Sequence, residues 1–305
     1  EDNVAPTAVC QDITVQLDAN GNAMITASDV DGGSNDNCGN ITLDVNPDSF
    51  DCSNIGAPVA VTLTVTDGSG NTDNCTANVT VEDNIAPTVL CQDITVQLDA
   101  NGNAMITASD VDGGSTDNCN VNLSVTPTMF DCSNLGMNTV TLTATDNSGN
   151  SASCTANVTV EDNVAPTAVC QNVTVQLDAN GNAMVTAADI DGGSSDNCSF
   201  TISAAPTSFD CSNVGSNAVT LTVTDGSGNS STCTADVTVE DNIAPTAVCQ
   251  NITVQLDANG NASITGADVD GGSSDNCSFT LDVNPDTFDC SDVGTPAAVT
   301  LTVTD

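Results

Sequence analysis

A block of about 80 residues is written four times in succession, and this repetition constrains the fold more than any other feature of the chain. Glu1-Asp2-Asn3-Val4-Ala5-Pro6 recurs, with Val or Ile at its fourth position, from Glu82, Glu161 and Glu240 of a 305-residue sequence. Each block has the size of one small domain, so the sequence divides into repeats at 1–81, 82–160, 161–239 and 240–305. The first three carry four cysteines each, at 10/38/52/75, 91/119/132/154 and 170/198/211/233, and the fourth carries 249, 277 and 290. The fourth block stops where the others run into a last strand holding their fourth cysteine, so the expectation is a window on a longer array.

The hydrophobic period is 2. Ile13, Val15 and Leu17 alternate with Thr14 and Gln16, and Asp18-Ala19-Asn20-Gly21-Asn22 turns the chain into a second strand at 23–27. Val61, Leu63 and Val65 alternate with threonines. After the turn Asp67-Gly68-Ser69-Gly70-Asn71, the residues Cys75, Ala77, Val79 and Val81 alternate again. No helical period is present. About seven short strands per repeat predict an all-β chain of tandem immunoglobulin-like β-sandwich repeats arranged end to end as an elongated rod. Ala8 and Cys10 have one parity and Ile13, Val15 and Leu17 the other, so a bulge or a change of sheet is expected near Gln11-Asp12. Phe50, repeated as Phe130, Phe209 and Phe288, reads as the one large core plug of each repeat.

An even, repeated cysteine pattern predicts disulfides and an oxidising compartment outside the cytoplasm. Zinc is the competing use, but no two cysteines have the C-x₂-C spacing. The first and last strands of such a sandwich run side by side, which favours Cys10–Cys75, Cys91–Cys154 and Cys170–Cys233. The inner cysteines would then close short loops as Cys38–Cys52, Cys119–Cys132, Cys198–Cys211 and Cys277–Cys290. Pairing first to second and third to fourth is the alternative.

There are 41 Asp and Glu and no Lys, Arg or His, giving a formal charge of −41. This excludes imidazole catalysis, Schiff-base chemistry and phosphate or nucleic-acid recognition. Disorder is disfavoured by the periodic Val, Ile, Leu and Thr runs, and no apolar stretch is long enough to span a membrane. Eight acidic positions recur in all four repeats and account for 32 of the 41 acids. In an immunoglobulin-like sandwich several of these gather at one pole (in the first repeat Glu1, Asp2, Asp29, Asp31, Asp36 and Asp67), while Asp18 and Asn20 lie at the other.

Repeats joined end to end would therefore collect acids at each junction. The first would hold Asp18, Asn20, Glu82, Asp83, Asn84, Asp110, Asp112, Asp117 and Asp146. The second would hold Asp99, Asn101, Glu161, Asp162, Asn163, Asp189, Asp191, Asp196 and Asp225, and the third Asp178, Asn180, Glu240, Asp241, Asn242, Asp268, Asp270, Asp275 and Asp305. With no basic side chain to relieve the repulsion, the expected cofactor is Ca²⁺, several ions per chain. Its six to eight oxygen ligands suit this mixture of carboxylate, amide and carbonyl better than octahedral Mg²⁺. Turn formation is the ordinary use of Asp, Asn and Gly, and it suffices for Asp18 or Asp67 taken alone.

The opening Asp-Asn-x-Ala-Pro, the cysteine of the first strand, Thr66-Asp67-x-Ser69-Gly70-Asn71 and the closing Cys75-Thr76-Ala77-x-Val79-Thr80-Val81-Glu82-Asp83 resemble the hyalin-type (HYR-like) immunoglobulin-fold repeats of large secreted and surface proteins of Bacteroidota. These include adhesins of gliding motility. The resemblance covers all four repeats. It implies export, by the type IX route among others, and a role as the stalk or filament of a cell-surface adhesin. The linker around Glu82-Asp83-Asn84 is also similar to a cadherin calcium linker. The implied partners are neighbouring repeats, lateral or homotypic fibre contacts, and a surface ligand at a tip outside this segment. In a second reading the repeats themselves bind glycan, ice or a like chain through threonine rows such as Thr62, Thr64 and Thr66. A paired-carboxylate glycosidase is disfavoured because identical acids recur in every repeat without aromatic subsites.

Overall fold

The computed structural model describes residues 2–305 and separates into two compact units, Glu1–Asp162 and Asn163–Asp305. The first repeat shows how the sequence builds a sandwich. Its strands are β1 (Ile13–Gln16), β2 (Asn22–Met24), β3 (Ile41–Asn46), β4 (Ser49–Asp51), β5 (Val59–Asp67) and β6 (Thr72–Glu82). Four of them form one sheet in the order β1-β6-β5-β3, and β2 pairs with β4 across the core. β1 lies parallel to β6, with Ile13 opposite Val79, and the remaining pairs are antiparallel.

Alternation decides which face is buried. Val61, Leu63 and Val65 of β5 and Ala77 and Val79 of β6 are fully buried, while the threonines between them face outward or sit at the margin. Leu17, Ile25, Val30 and Phe50 close the core from the opposite side. Each such side chain stabilises the sandwich by about 1.5–3 kcal/mol. Phe50 is only 4% exposed, so Phe50→Ala is expected to cost about 3–5 kcal/mol in chemical denaturation of the first repeat.

The parity change at Gln11-Asp12 has a structural counterpart. Cys10 bridges Asp31, whereas β1 three residues later pairs with β6, so the strand crosses from one sheet to the other. The Asp12 carboxylate accepts the Asn78 backbone N–H at 2.7 Å at this crossing. The expectation of strands alone is corrected at α1 (Ala27–Val30), a single helical turn that buries Val30 completely. Thr26 donates its N–H and its Oγ1–H to Asp29 Oδ2, at 2.6 and 2.7 Å, and this reciprocal cap starts the turn. The same turn recurs at Ala108–Val111, Ala187–Ile190 and Gly266–Val269.

Cys10–Cys75, Cys91–Cys154 and Cys170–Cys233 tie the first segment of each repeat to its last strand, with Cα separations of 5.8, 6.0 and 5.8 Å. The inner pairings are corrected. Cys52 is bonded to Cys119 of the next repeat, and Cys211 to Cys277 of the next, both with Cα atoms 5.6 Å apart. Cys38–Cys52, Cys119–Cys132, Cys198–Cys211 and Cys277–Cys290 are therefore not formed, and Cys38, Cys249 and Cys290 are exposed thiols. The reason is distance along the sandwich. Cys38 precedes β3 at one end, and Cys52 follows β4 at the other, where Asp51 pairs with Asn22 beside the Gly21 turn. The six residues of β3 span about 20 Å, against the roughly 4.4–6.8 Å between Cα atoms that a disulfide allows.

Candidate metal centre at the repeat junction

The first unit contains one complete junction between repeats. β6 delivers the chain through Glu82 into Asp83, whose side chain is 4% exposed. The turn before the last strand of the second repeat contributes Asp146, also 4% exposed, and the loop after its helical turn contributes Asp117. One carboxylate oxygen from each of the three lies within 4.8 Å of the others. Two ligands on opposite sides of a Ca²⁺ ion at about 2.4 Å are about 4.8 Å apart, so the spacing matches oxygens that share one ion.

The hydrogen bonds at this junction leave acceptors over. Asp83 Oδ1 accepts from Ile85 N and Asn118 Nδ2, both at 3.1 Å, while the buried Oδ2 has no partner. Asp117 Oδ2 accepts the Cys119 N–H at 3.1 Å, while Oδ1 is buried without a partner, as is Asn118 Oδ1. Asp146 is held rigidly by Ser148 N, Asn150 N and Asn150 Nδ2 at 2.7–2.9 Å. Asn150 also donates to the Asp83 backbone carbonyl at 2.9 Å, and Asn118 Nδ2 to that of Asp18 at 3.2 Å. Two carboxylates at this spacing repel by about 3 kcal/mol at an effective dielectric of 20. The sequence holds no Lys, Arg or His to offset it. Acceptor oxygens that are buried, unpaired and mutually repelling fit a hard divalent cation.

Of the nine residues expected at this junction, Asp83, Asp117 and Asp146 converge, and Asn118 joins them as a residue that sequence reasoning missed. It stands next to Asp117 in the Asp-Asn-Cys triplet found in every repeat, which was the available signal. The rest are placed differently. Asp110 caps the helical turn through Thr107, and Asp112 is bound by Ser115. Asp18 Oδ1 accepts from the N–H groups of Asn20 and Asn22 in its own turn. Glu82 accepts from Gln16, and Asn84 donates to the same glutamine.

In the second unit Asp241, Asp275 and Asp305 form the same group, with Asn276 donating to Asp241 Oδ1 at 3.1 Å and Asp275 Oδ1 and Asn276 Oδ1 buried without partners. Asp189, Asp191, Asp268 and Asp270 again make local caps or turns with Thr186, Ser194, Thr265 and Ser273, as Asp29 and Asp31 do with Thr26 and Ser34. Asp99 and Asp178 sit in hairpin turns equivalent to that of Asp18. Glu240 accepts from Gln176, and Asn242 donates to that residue. Asp196 accepts the Cys198 N–H, and Asp225 is buried in its turn with Ser227 and Asn229. Asp162 is buried at the end of the first unit. At the start of the chain Asp2 and Asp36 approach each other together with Cys38, and Asp67 is held by Asn71, while Glu1 lies outside the described residues.

The turn-forming carboxylates are held below the ordinary aspartate pKa, Asp18 mainly by the Asn22 and Asn20 N–H groups, Asp29 by the Thr26 N–H and hydroxyl, and Asp51 by the Ser53 hydroxyl and N–H. A pKa depressed by folding contributes stability that is complete above the unfolded value of about 3.9 and is lost as the pH falls through the folded value. The difference in Tm between wild type and Asp51→Ala is therefore expected to be constant above about pH 5 and to close below about pH 4 in a series of melts.

Comparison with known proteins places this architecture in a class. Residues 82–160, the second repeat, match the HYR domain family. Hyalin of Strongylocentrotus purpuratus is 34% identical over 232 residues, covering 68% of this chain, which spans 18% of hyalin's own length. Among solved structures, an I-band fragment of titin is similar with a TM-score of 0.39 and 12% identity, covering 78% of this chain and all of the fragment. Sidekick-1 immunoglobulin domains give 0.30 and 8%, covering 77% of this chain and 76% of theirs. Cadherin domains of protocadherin gamma B7 give 0.34 and 12%, covering 91% and 87%. These structural likenesses carry no functional argument. The chain is a disulfide-bonded series of immunoglobulin-like sandwiches of which the second matches the HYR family, and the other three repeat its motifs. No helix among the described residues is long and apolar enough to cross a membrane.

Proposed function

We propose that this chain is a non-enzymatic, extracellular structural array of HYR-type repeats, the stalk or filament of a surface adhesin, in which Ca²⁺ and disulfides fix each repeat against the next. The observation that carries this reading is the Asp83–Asp117–Asp146 group, with buried, unpaired carboxylate oxygens at the place where two repeats are also covalently bonded. Asp83, Asp117 and Asp146 would hold the ion in the first unit and Asp241, Asp275 and Asp305 in the second. The ion would neutralise the repulsion and draw the linker and two loops onto one centre. At millimolar extracellular Ca²⁺ such sites need only modest affinity. The array would then resist bending at its linkers and hold a binding tip away from the cell.

The test is small-angle X-ray scattering of the chain in 1 mM Ca²⁺ and in chelator. The expected result is a narrow distance distribution with calcium and a broader one of shorter mean length without it. Superimposable profiles would overturn the calcium part of the reading.

A further inference from the structure

The outer disulfides decide which part of each repeat feels a pull along the chain. Cys10–Cys75, Cys91–Cys154 and Cys170–Cys233 join cysteines 65, 63 and 63 positions apart in sequence and hold their Cα atoms 5.8, 6.0 and 5.8 Å from each other. Each bond ties the segment ahead of the first strand to the last strand, so it encloses nearly a whole sandwich. Tension entering the first repeat at Cys10 crosses one bond to Cys75 and leaves along β6. The enclosed chain, with β1 to β5, α1 and core residues such as Leu63 and Phe50, lies off that path.

What stays on the path is short and already straight. Cys75 to Cys91 and Cys154 to Cys170 are each 16 residues. The first half of either stretch is strand, β6 to Glu82 in one and Ser151–Glu161 in the other. Each strand has partners on both sides, β1 and β5 in the case of β6, so the path runs through the middle of the sheet. Past Glu82 the chain meets no helix or hairpin before Cys91, which bridges Asp112. Sixteen residues pulled straight reach about 55 Å and the bond adds about 6 Å, whereas the 11 residues of β6 already span about 36 Å. A bridged repeat can therefore lengthen by only about 25 Å. The same repeat without its bond would draw out to about 270 Å.

We infer that the outer disulfides make this chain a tether of bounded length. Tension passes from repeat to repeat through Cys10–Cys75 and its equivalents, the last strands and the linkers, and cannot draw out the sandwiches. Resistance to stretching is a function beyond the resistance to bending proposed above. It follows from how the bonds connect the chain and stands with or without calcium. The inter-repeat bonds add to it. Cys52–Cys119 is a second covalent route across the first junction, alongside the linker Glu82-Asp83-Asn84, and Cys211–Cys277 is a second route from the third repeat to the fourth. Through the outer bonds and Cys211–Cys277, the route from Glu1 to Asp305 contains about 90 of the 305 residues.

The experiment is single-molecule force spectroscopy of the whole chain held by its two termini. At high force the end-to-end length follows the covalent route, whether or not the sandwiches have unfolded. In non-reducing buffer the length is expected to level off at or below about 340 Å, and in TCEP to reach about 1,050 Å, roughly threefold more. Cys10→Ser combined with Cys75→Ser should raise the non-reducing ceiling by at least about 45 Å, because the shortest remaining route runs through the first repeat to Cys52. The ceiling rises by that amount even if the variant folds poorly. Cys249→Ser, which removes a free thiol, should leave the ceiling unchanged. Chelator should leave it unchanged too, so the tether and the calcium proposal fail separately. Wild-type lengths beyond about 400 Å without reductant, a ceiling indifferent to TCEP, or one indifferent to loss of Cys10–Cys75 would each overturn the inference.

Discussion

Transferring the chain from 1 mM Ca²⁺ to chelator is expected to lower its melting temperature by roughly 5–10 °C. A ligand at a hundred times its dissociation constant stabilises the folded state by about 2.7 kcal/mol. In a cooperative unit of two repeats each kcal/mol moves Tm by about 2–4 °C. Asp83→Asn separates a metal ligand from a merely structural residue, because the amide oxygen still accepts the Ile85 and Asn118 hydrogen bonds that Asp83 Oδ1 accepts now. In chelator the variant should melt no lower than wild type, since one member of a repelling group has lost its charge. In calcium it should melt lower. A residue that only shaped the linker would lower Tm equally under both conditions.

The second large effect is expected from Cys52→Ser combined with Cys119→Ser. The bond closes a loop of 67 residues, for which loop-closure entropy gives about 4 kcal/mol. It also crosses between repeats, so its removal should split their unfolding. Calorimetry of the wild type should show the first two repeats unfolding in one cooperative transition, and the variant two transitions at lower temperature. Removing Cys10–Cys75, which lies within the first repeat, should lower that shared transition without splitting it. The double variant should also bind calcium more weakly, because Cys119 is two residues from Asp117 and the bond anchors that turn.

What was legible in the sequence was whatever a single repeat determines by itself. Alternation at Val61, Leu63 and Val65 and at Ala77, Val79 and Val81 fixes the faces of β5 and β6 without reference to anything outside the repeat. The parity change near Asp12 located a real change of sheet. The meeting of Asp83, Asp117 and Asp146 was also legible, because it follows from which pole each loop occupies. Contacts that depend on reach were not. Four cysteines per repeat suggested a closed set, yet the poles that gathered the acids also place Cys38 beside Asp36 and Cys52 beside the Gly21 turn, at opposite ends of the sandwich. Used on the cysteines, the same topology would have excluded Cys38–Cys52. Asp29 and Asp31, and Asp110 and Asp112 after them, looked like ligands because paired acids at alternate positions occur in calcium loops. Thr26-x-x-Asp29 is equally a capping box, and Asp31 is taken up by the Ser34 N–H three residues on, so both acids are engaged locally.

The most direct test of the central claim is a calorimetric calcium titration of the chain beside a variant carrying Asp83→Asn, Asp117→Asn, Asp241→Asn and Asp275→Asn. The account predicts saturable binding in the wild type at or below millimolar calcium, and loss of those sites in the variant, which should remain folded by circular dichroism. Wild-type binding that is undetectable, or that survives unchanged in the folded variant, would contradict it.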